Sequence, residues 1–299
     1  MNLATRFQVL FAVLGLAACQ TGQEQLSTQA LRVATYNIRL DTDSDGENAW
    51  AYRRSDLAAL IQFYDPDVFG MQEVLPSQLG DLKIDLGDYV FVGVGRDDGA
   101  EQGEHASIAY RLDRFESSDQ GTFWLSETPN LPSVGWDAAF PRIVTWTRLT
   151  HLQSGTKLLV LNSHWDHVGA EARLRSGRMM HEWIAEHRRA CESVVVLGDF
   201  NSVPGEASYE ALLGADPGSL ANTMDISRSP PFGPPGTYNG FDVTKADPRP
   251  IDHVLVSRDV QVLRHGVITQ QSAGRLPSDH FPVIVDLDVL PCRSKSEPG

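Results

Sequence analysis

The chain has 299 residues, of which 41% are hydrophobic and 21% charged, and its formal net charge is −14 at pH 7. These proportions are typical of a globular protein, and a core of this size needs no disulfide or zinc staple. Tight binding to duplex nucleic acid is not expected, because proteins that bind in this way carry a basic surface that displaces counterions.

The N-terminal residues have the features of a signal peptide, which we predict to comprise 1–18. Arg6 is the only charged side chain before position 24, and the apolar run over 7–18 is too short to span a bilayer comfortably. The run ends in LAAC (16–19), which resembles the lipobox of bacterial lipoproteins and implies cleavage before Cys19 and a lipid anchor on its sulfur. The alternative is a plain secretory signal that contains a cysteine. We therefore expect export, either as a membrane-anchored lipoprotein of the outer membrane or periplasm in a Gram-negative cell, or as a secreted protein.

The remaining sequence predicts a short tether, one folded domain and a tail. Residues 19–30 are polar and lack periodicity, which indicates a lipidated tether. We expect the domain to span 31–290, to be followed by a tail over 291–299, and to be monomeric. Cys191 and Cys292 are too few and too far apart for a zinc site. An oxidising compartment permits a disulfide between them, and two buried free thiols are the alternative.

The elements predicted along the domain mix helices and strands without an internal linker. Spacing of apolar residues predicts helices over 50–64, 76–86, 170–188 and 206–213. Short runs of apolar and β-branched residues predict strands over 31–38, 67–72, 89–94, 106–112, 142–150, 157–163, 193–198, 251–257 and 281–289. Because strands outnumber helices and both occur throughout, we predict a single α/β domain.

Polar groups stand where several of these strands end or begin. Asn37 stands at the end of the first predicted strand, and Glu73 follows the strand predicted over 67–72. The later clusters are NSHWDH (162–167), GDFN (198–201), IDH (251–253) and SDH (278–280). Each cluster alone could be a turn former, a helix cap or a satisfied core group. Convergence at one rim of a sheet would instead build a site. Asp199 and Asn201 favour the second interpretation, because polar groups directly after an apolar strand are costly to bury without a purpose.

Taken in order, these segments resemble the successive motifs of the endonuclease/exonuclease/phosphatase superfamily over about 31–290. The segments GRDDG (95–99) with GE (103–104), FWLSETP (123–129), GWDAA (135–139) and GTYNGF (236–241) are similar to a mostly uncharacterised bacterial branch of it. The resemblance implies a four-layer α/β sandwich, in which two mixed, mostly antiparallel sheets pack face to face with helices outside.

The resemblance also implies hydrolysis of a P–O bond by in-line attack of water. Glu73 would hold Mg²⁺, for which Mn²⁺ is a possible substitute, and Asn37 would lie at the metal, since hard cations prefer oxygen ligands. Asp199 would orient or deprotonate the water, and Asn201 would hold a phosphate oxygen.

Two histidines complete the implied catalytic set. His164 and His280 would donate to the non-bridging phosphate oxygens as negative charge develops. Asp279, next to His280 in the chain, would orient that imidazole and favour its charged form. Asp252 would support the set from behind.

Arg142, His167 and Arg173 are candidate substrate contacts. Arg173 falls in the first turn of the predicted helix 170–188, where a lone arginine opposes the helix dipole unless an anion offsets it. A solvated surface arginine is the alternative for this position.

Three functional hypotheses follow. The first is a metal-dependent phosphodiesterase or phosphatase that acts outside the cytoplasm on a small or lipid-linked phosphoester. The second is an extracellular nuclease, against which the acidic balance counts. The third is a catalytically inactive binding module, against which the intact set of acidic, amide and imidazole groups counts.

Overall fold

A computed structural model describes residues 30–215 and 219–289. The predicted signal peptide, the lipidated Cys19, nearly all of the tether and the C-terminal tail lie outside the described residues. Within them, two six-stranded sheets form the centre of an α/β sandwich, which confirms the predicted fold class.

The first sheet has the strand order β11-β12-β1-β2-β4-β3. Only β1 and β2 run parallel to each other among its described strands, and the other neighbours are antiparallel. Its strands are β1 (Leu31–Asn37), β2 (Val68–Val74), β3 (Tyr89–Val92), β4 (His105–Arg111), β11 (Gln261–Val267) and β12 (Val283–Asp288).

The second sheet has the order β5-β6-β7-β8-β10-β9, and its one parallel pair among the described strands is β7 with β8. Its strands are β5 (Phe115–Trp124), β6 (Ile143–His151), β7 (Lys157–His164), β8 (Glu192–Asp199), β9 (Leu220–Asn222) and β10 (Asp252–Ser257).

Alternation along the strands divides the core into layers. In β1, Val33 packs between the two sheets, whereas its neighbour Ala34 packs on the opposite face against a helix. Helices α1 (Trp50–Tyr64) and α2 (Pro76–Asp85) cover the outer face of the first sheet. Helices α3 (Ala170–His187) and α4 (Ala207–Leu213) cover that of the second, and a short helix, α5 (Thr223–Ile226), follows β9. Helices therefore lie outside, as predicted.

The described helices include none that combines the length and the apolar character needed to cross a membrane. The four predicted helices agree with α1 to α4 to within one residue at each end. Three described strands, β5, β9 and β11, and the short helix α5 were not predicted. All three strands lie at sheet edges. The strand β9 has only three residues, and polar or charged residues in β5 and β11 weaken the apolar pattern.

Cys191 is disulfide-bonded, which excludes the free-thiol alternative at this position. The other two cysteines lie outside the described part of the chain.

Candidate active site

The predicted polar clusters meet at one rim of the sandwich. The carboxyl ends of the parallel strands β1 and β2 lie at this rim, as do those of β7 and β8. Strands β10 and β12 run antiparallel to β8 and β1, so the residues that open them lie at the same rim. The groups brought together in this way are Asn37, Glu73, His164, Asp199, Asp252 and His280.

The rim surrounds a cavity of about 410 Å³, within the range of about 300–1,000 Å³ that is typical of small-molecule sites. Eight of the predicted residues line it: Glu73, Arg142, His164, His167, Asp199, Asn201, Asp279 and His280. Asn37 and Asp252 lie buried and contact these residues from behind. The lining also includes residues that sequence reasoning did not assign: Arg39, Leu40, Arg96, Glu104, Phe140, Tyr238 and Ile251.

Asp199 lies at the centre of the arrangement. Its Oδ2 accepts a hydrogen bond from Asn37 Nδ2 at 3.0 Å and lies 3.7 Å from His164 Nε2 and 3.8 Å from His280 Nε2. Burial and the nearby Asp252 carboxylate raise the pKa of Asp199, while the two imidazoles and the Asn37 amide oppose that shift. One carboxylate oxygen is thus surrounded by one amide and two imidazoles, which suits a group that handles a water proton.

Glu73 adopts a left-handed backbone conformation, with a φ of 62°, which is uncommon for a residue other than glycine and often accompanies functional sites. Its Oε1 accepts from Asn37 Nδ2 at 3.0 Å and its Oε2 from the Leu40 backbone N–H at 3.1 Å. Burial alone would raise the pKa of Glu73, but the His164 charge and the Asn37 hydrogen bond outweigh it and lower the pKa to about 2. Glu73 is therefore a carboxylate over the whole neutral range.

Asn37 acts as a donor in this arrangement. Its Nδ2 donates to both Glu73 and Asp199, while its Oδ1 accepts from the Arg39 backbone N–H at 3.0 Å. As placed, Asn37 fixes the spacing of two carboxylates and does not present its oxygen to them. Its assignment as a metal ligand stays a prediction, which would require the amide to turn.

His280 is held by Asp252 and not by its chain neighbour Asp279. His280 Nδ1 lies 2.8 Å from Asp252 Oδ2, so the predicted orienting role of Asp279 is wrong. Although burial disfavours the charged imidazole, the Asp252 carboxylate dominates among the carboxylates that raise the pKa of His280 well above its ordinary value. His280 is therefore a charged donor near neutral pH.

Asp279 lines the cavity separately. Its Oδ1 lies 3.4 Å from Ser278 Oγ, and its Oδ2 lies 3.9 Å from Arg39 Nε. Burial raises the pKa of Asp279, and the charges of His280 and Arg39 oppose this.

Asn201 follows Asp199 in a left-handed conformation with a φ of 45°. Its backbone N–H donates to Asp199 Oδ1 at 3.0 Å, and its side-chain Nδ2 donates to the Trp165 carbonyl at 3.0 Å. An amide nitrogen carries two N–H groups, so one donor remains for a phosphate oxygen.

Glu104 is the main functional candidate that sequence reasoning missed. Its Oε2 accepts from Arg96 Nη1 at 2.8 Å and lies 3.7 Å from His164 Nδ1. Burial opposes ionisation, but His164 and Arg96 lower the pKa of Glu104 overall. Glu104 therefore stands behind His164 on the side away from Asp199. The only available signal was the similarity of the segments around 95–104 to the bacterial branch.

The residues present fit a divalent cation. Ligand atoms of Asp199, Asp252 and His280 all lie within 4.8 Å of one another and could hold a metal ion. Asp252 and His280 are also hydrogen-bonded to each other through Asp252 Oδ2 and His280 Nδ1. The ionised Glu73 next to Asp199 offers an oxygen-only set, which is the donor chemistry that Mg²⁺ and Mn²⁺ prefer.

Arg142 and His167 form part of the cavity wall, but Arg173 does not line it. Arg173 Nη1 donates to the Asp166 carbonyl at 2.9 Å. The first turn of α3 is capped by Asp137, whose Oδ1 accepts from the Ala172 N–H at 2.6 Å. The protein itself thus supplies the anion at this helix terminus, and the dipole argument for a substrate at Arg173 fails.

The chain belongs to the endonuclease/exonuclease/phosphatase family, whose model matches residues 34–280. Among solved structures, it is similar to an endonuclease/exonuclease/phosphatase family protein of Bacteroides thetaiotaomicron, with 39% identity and a TM-score of 0.81 over 87% of this chain and 97% of the other. A mannosyl-6-phosphatase from Bacteroides thetaiotaomicron VPI-5482 is 38% identical, with a TM-score of 0.80 over 86% of this chain and 99% of that one.

The chain spans only part of the curated relatives that it matches. It is 27% identical over 160 residues to the uncharacterized protein L388 of Acanthamoeba polyphaga mimivirus, a match that covers 51% of this chain and 59% of that protein.

Proposed function

We propose that the protein is a divalent-metal-dependent phosphomonoesterase that hydrolyses a small phosphorylated sugar outside the cytoplasm by in-line attack of water. The observation that carries this proposal is the position of Asp199 Oδ2, which lies between the Asn37 amide and two imidazoles. Asp199 also lines a cavity of small-molecule size and shares the Asn37 amide with the ionised Glu73.

Each residue then has a distinct task. Asp199 orients the attacking water and accepts its proton. His280, charged through its contact with Asp252, and His164 donate to phosphate oxygens as negative charge develops, and Asn201 supplies its remaining N–H. A bound Mg²⁺ or Mn²⁺, held by Glu73 with Asp199, would polarise a phosphate oxygen and stabilise the leaving oxygen.

The charge of the cavity favours a substrate with one phosphate over a nucleic acid. Among the described lining residues, three arginines (Arg39, Arg96 and Arg142) face four carboxylates (Glu73, Glu104, Asp199 and Asp279). A polyanion gains little from such a balanced surface, and the whole chain carries a net charge of −14. The similarity to a mannosyl-6-phosphatase supports a sugar phosphate as the substrate class.

Export is the second part of the proposal. The signal-like residues 1–18 and the lipobox-like segment ending in Cys19 support an anchored lipoprotein. The disulfide at Cys191 supports an oxidising compartment.

Purified mature protein should release inorganic phosphate from hexose 6-phosphates in the presence of Mg²⁺ or Mn²⁺ and lose this activity in EDTA. Plasmid DNA and bis-nitrophenyl phosphate, assayed in parallel, separate a monoesterase from a nuclease or diesterase. Faster turnover of either diester than of every sugar phosphate would overturn the assignment, as would full activity in EDTA.

A further inference from the structure

One side of the cavity is a wall of two stacked rings. The centroids of Phe140 and His167 lie 6.1 Å apart with an interplanar angle of 21°. Both side chains line the cavity and both are exposed, Phe140 by 46%. The hydrolytic groups Asp199 and His280, in contrast, are buried. The ring wall therefore lies on the solvent side of the reacting centre and offers apolar surface there.

This wall is held rigidly from behind. Arg142, whose side chain is only 4% exposed, places Nη2 3.2 Å from His167 Nδ1 and donates from Nε to Asp166 Oδ2 at 3.3 Å. The Arg96 guanidinium lies 5.1 Å from the Phe140 ring centroid and contributes a cation–π contact. Because these side chains are already ordered, binding of a ligand costs little additional side-chain entropy.

The contact with Arg142 also sets the tautomer of His167. A guanidinium can only donate, so His167 Nδ1 must accept. The imidazole then carries its proton on Nε2 and offers that N–H as a donor. The wall thus combines an apolar ring surface with a fixed hydrogen-bond donor.

We infer that the Phe140–His167 wall is the leaving-group subsite of the proposed phosphomonoesterase, and that it takes a single polyhydroxylated ring. The C–H face of a sugar ring packs on apolar aromatic surface, and its hydroxyl oxygens accept from the His167 N–H. A nucleoside also has a ring that could stack on Phe140. A single sugar ring fits better, because a cavity of about 410 Å³ must also hold the phosphate. This inference rests on the proposed function for the position of the phosphate.

The subsite can be tested by comparing three ligands that share a phosphate. Mannose 6-phosphate has a hydroxylated ring, ethyl phosphate has neither ring nor hydroxyl, and adenosine 5′-monophosphate has a stacking base. Dissociation constants would be measured by calorimetry in EDTA, where turnover does not interfere, and kcat/KM would be measured with Mg²⁺. The variants are Phe140→Ala, His167→Ala and His167→Gln, with Phe63→Ala as the control. Phe63 is a phenylalanine of α1 that is 81% exposed and does not line this cavity.

Wild type and Phe63→Ala should prefer mannose 6-phosphate over ethyl phosphate by at least about tenfold, the scale of one good polar contact. Phe140→Ala and His167→Ala should abolish this preference by weakening mannose 6-phosphate more than ethyl phosphate, and His167→Gln, which keeps a donor, should retain part of it. If wild type has equal dissociation constants and equal kcat/KM for mannose 6-phosphate and ethyl phosphate, the subsite assignment is wrong. A preference of wild type for adenosine 5′-monophosphate over mannose 6-phosphate would also overturn it. Failure of the proposed function has a different signature, because Mg²⁺-dependent phosphate release would then be missing from ethyl phosphate as well.

Discussion

His280 Nδ1 lies 2.8 Å from Asp252 Oδ2, although Asp279 is its neighbour in the chain. The Asp279 carboxylate lies instead near Arg39, with its Oδ2 3.9 Å from Arg39 Nε. Asp252 opens β10 directly opposite Asp199 in β8, whereas His280 precedes β12 in the other sheet. The pairing therefore joins elements of two sheets and has no counterpart in local sequence.

This relationship predicts different pH profiles for two conservative variants. The pKa of His280 is raised chiefly by Asp252, and a charged imidazole is lost as the pH rises through that raised pKa. Asp252→Asn should therefore move the alkaline limb of kcat/KM to lower pH. Asp279→Asn, the matched control, should move it less, because Asp279 raises the pKa of His280 less than Asp252 does. Equal shifts in the two profiles, or a larger shift for Asp279→Asn, would contradict the assignment.

Removal of either central carboxylate should abolish most of the activity. Glu73→Gln and Asp199→Asn keep the size of each side chain but remove its charge, and each should lower kcat by at least about 10²-fold, as expected for a positioned catalytic group. The midpoint of the Mg²⁺ dependence, measured by phosphate release across a metal titration, should rise in Glu73→Gln. Exposed Glu116 of β5 provides a control, since Glu116→Gln should leave both quantities unchanged. A Glu73→Gln variant with wild-type metal dependence would remove Glu73 from the metal site.

Arg53 should be essential for holding the rim together. This fully buried side chain of α1 donates to the backbone carbonyls of Ile38, Arg39 and Leu40 after β1, and to that of Pro277 ahead of Asp279. Arg53→Lys cannot reach all of these acceptors, and each buried carbonyl left without a donor costs about 1–3 kcal/mol. We expect a loss of several kcal/mol in the free energy of unfolding, measured by urea denaturation.

The adjacent Arg54 is a matched control for this measurement. Its guanidinium pairs with Asp81 and Asp85 at the surface, where ion pairs contribute little. Arg54→Lys should shift the urea midpoint far less than Arg53→Lys does. Similar midpoints for the two variants would show that the carbonyl contacts of Arg53 do not hold the rim.

Much of the fold and site was predictable because it depends on local pattern. The apolar run before Asp199 predicts β8, and the polar groups that follow central strands predict the rim. Contacts across the sheets were not predictable in this way. The link from Asp252 to His280 joins residues 28 positions apart, and the link from Glu104 to His164 joins residues that are 60 positions apart in numbering. The prediction that Arg173 contacts substrate was wrong for the same reason. It considered only the helix that begins near Arg173, whereas the carboxylate at that helix terminus comes from Asp137, 35 positions from Ala172 in the chain.

The lipid anchor predicts a simple change in fractionation. Cys19→Ala removes the sulfur to which a lipid would be attached, so the protein should either leave the membrane fraction or remain unprocessed. Cell fractionation with intact-mass measurement distinguishes these outcomes. Unchanged fractionation and mass would show that the anchor assignment is wrong and would favour the plain secretory signal.

The last prediction concerns stability in acid. Burial lowers the pKa of His265, in β11, to about 4, whereas an unfolded histidine titrates near about 6.5. Between these values the unfolded chain binds more protons than the folded chain, so the free energy of unfolding falls as the pH falls through this window and is fully restored above it. The shift corresponds to about 3 kcal/mol at most. His265→Gln does not titrate, so its unfolding free energy should depend less steeply on pH between about 6.5 and 4. Some slope should remain, because burial also lowers the pKa of His253 to about 4. Urea denaturation at several pH values measures this slope, and identical slopes in wild type and His265→Gln would show that His265 is not the group responsible.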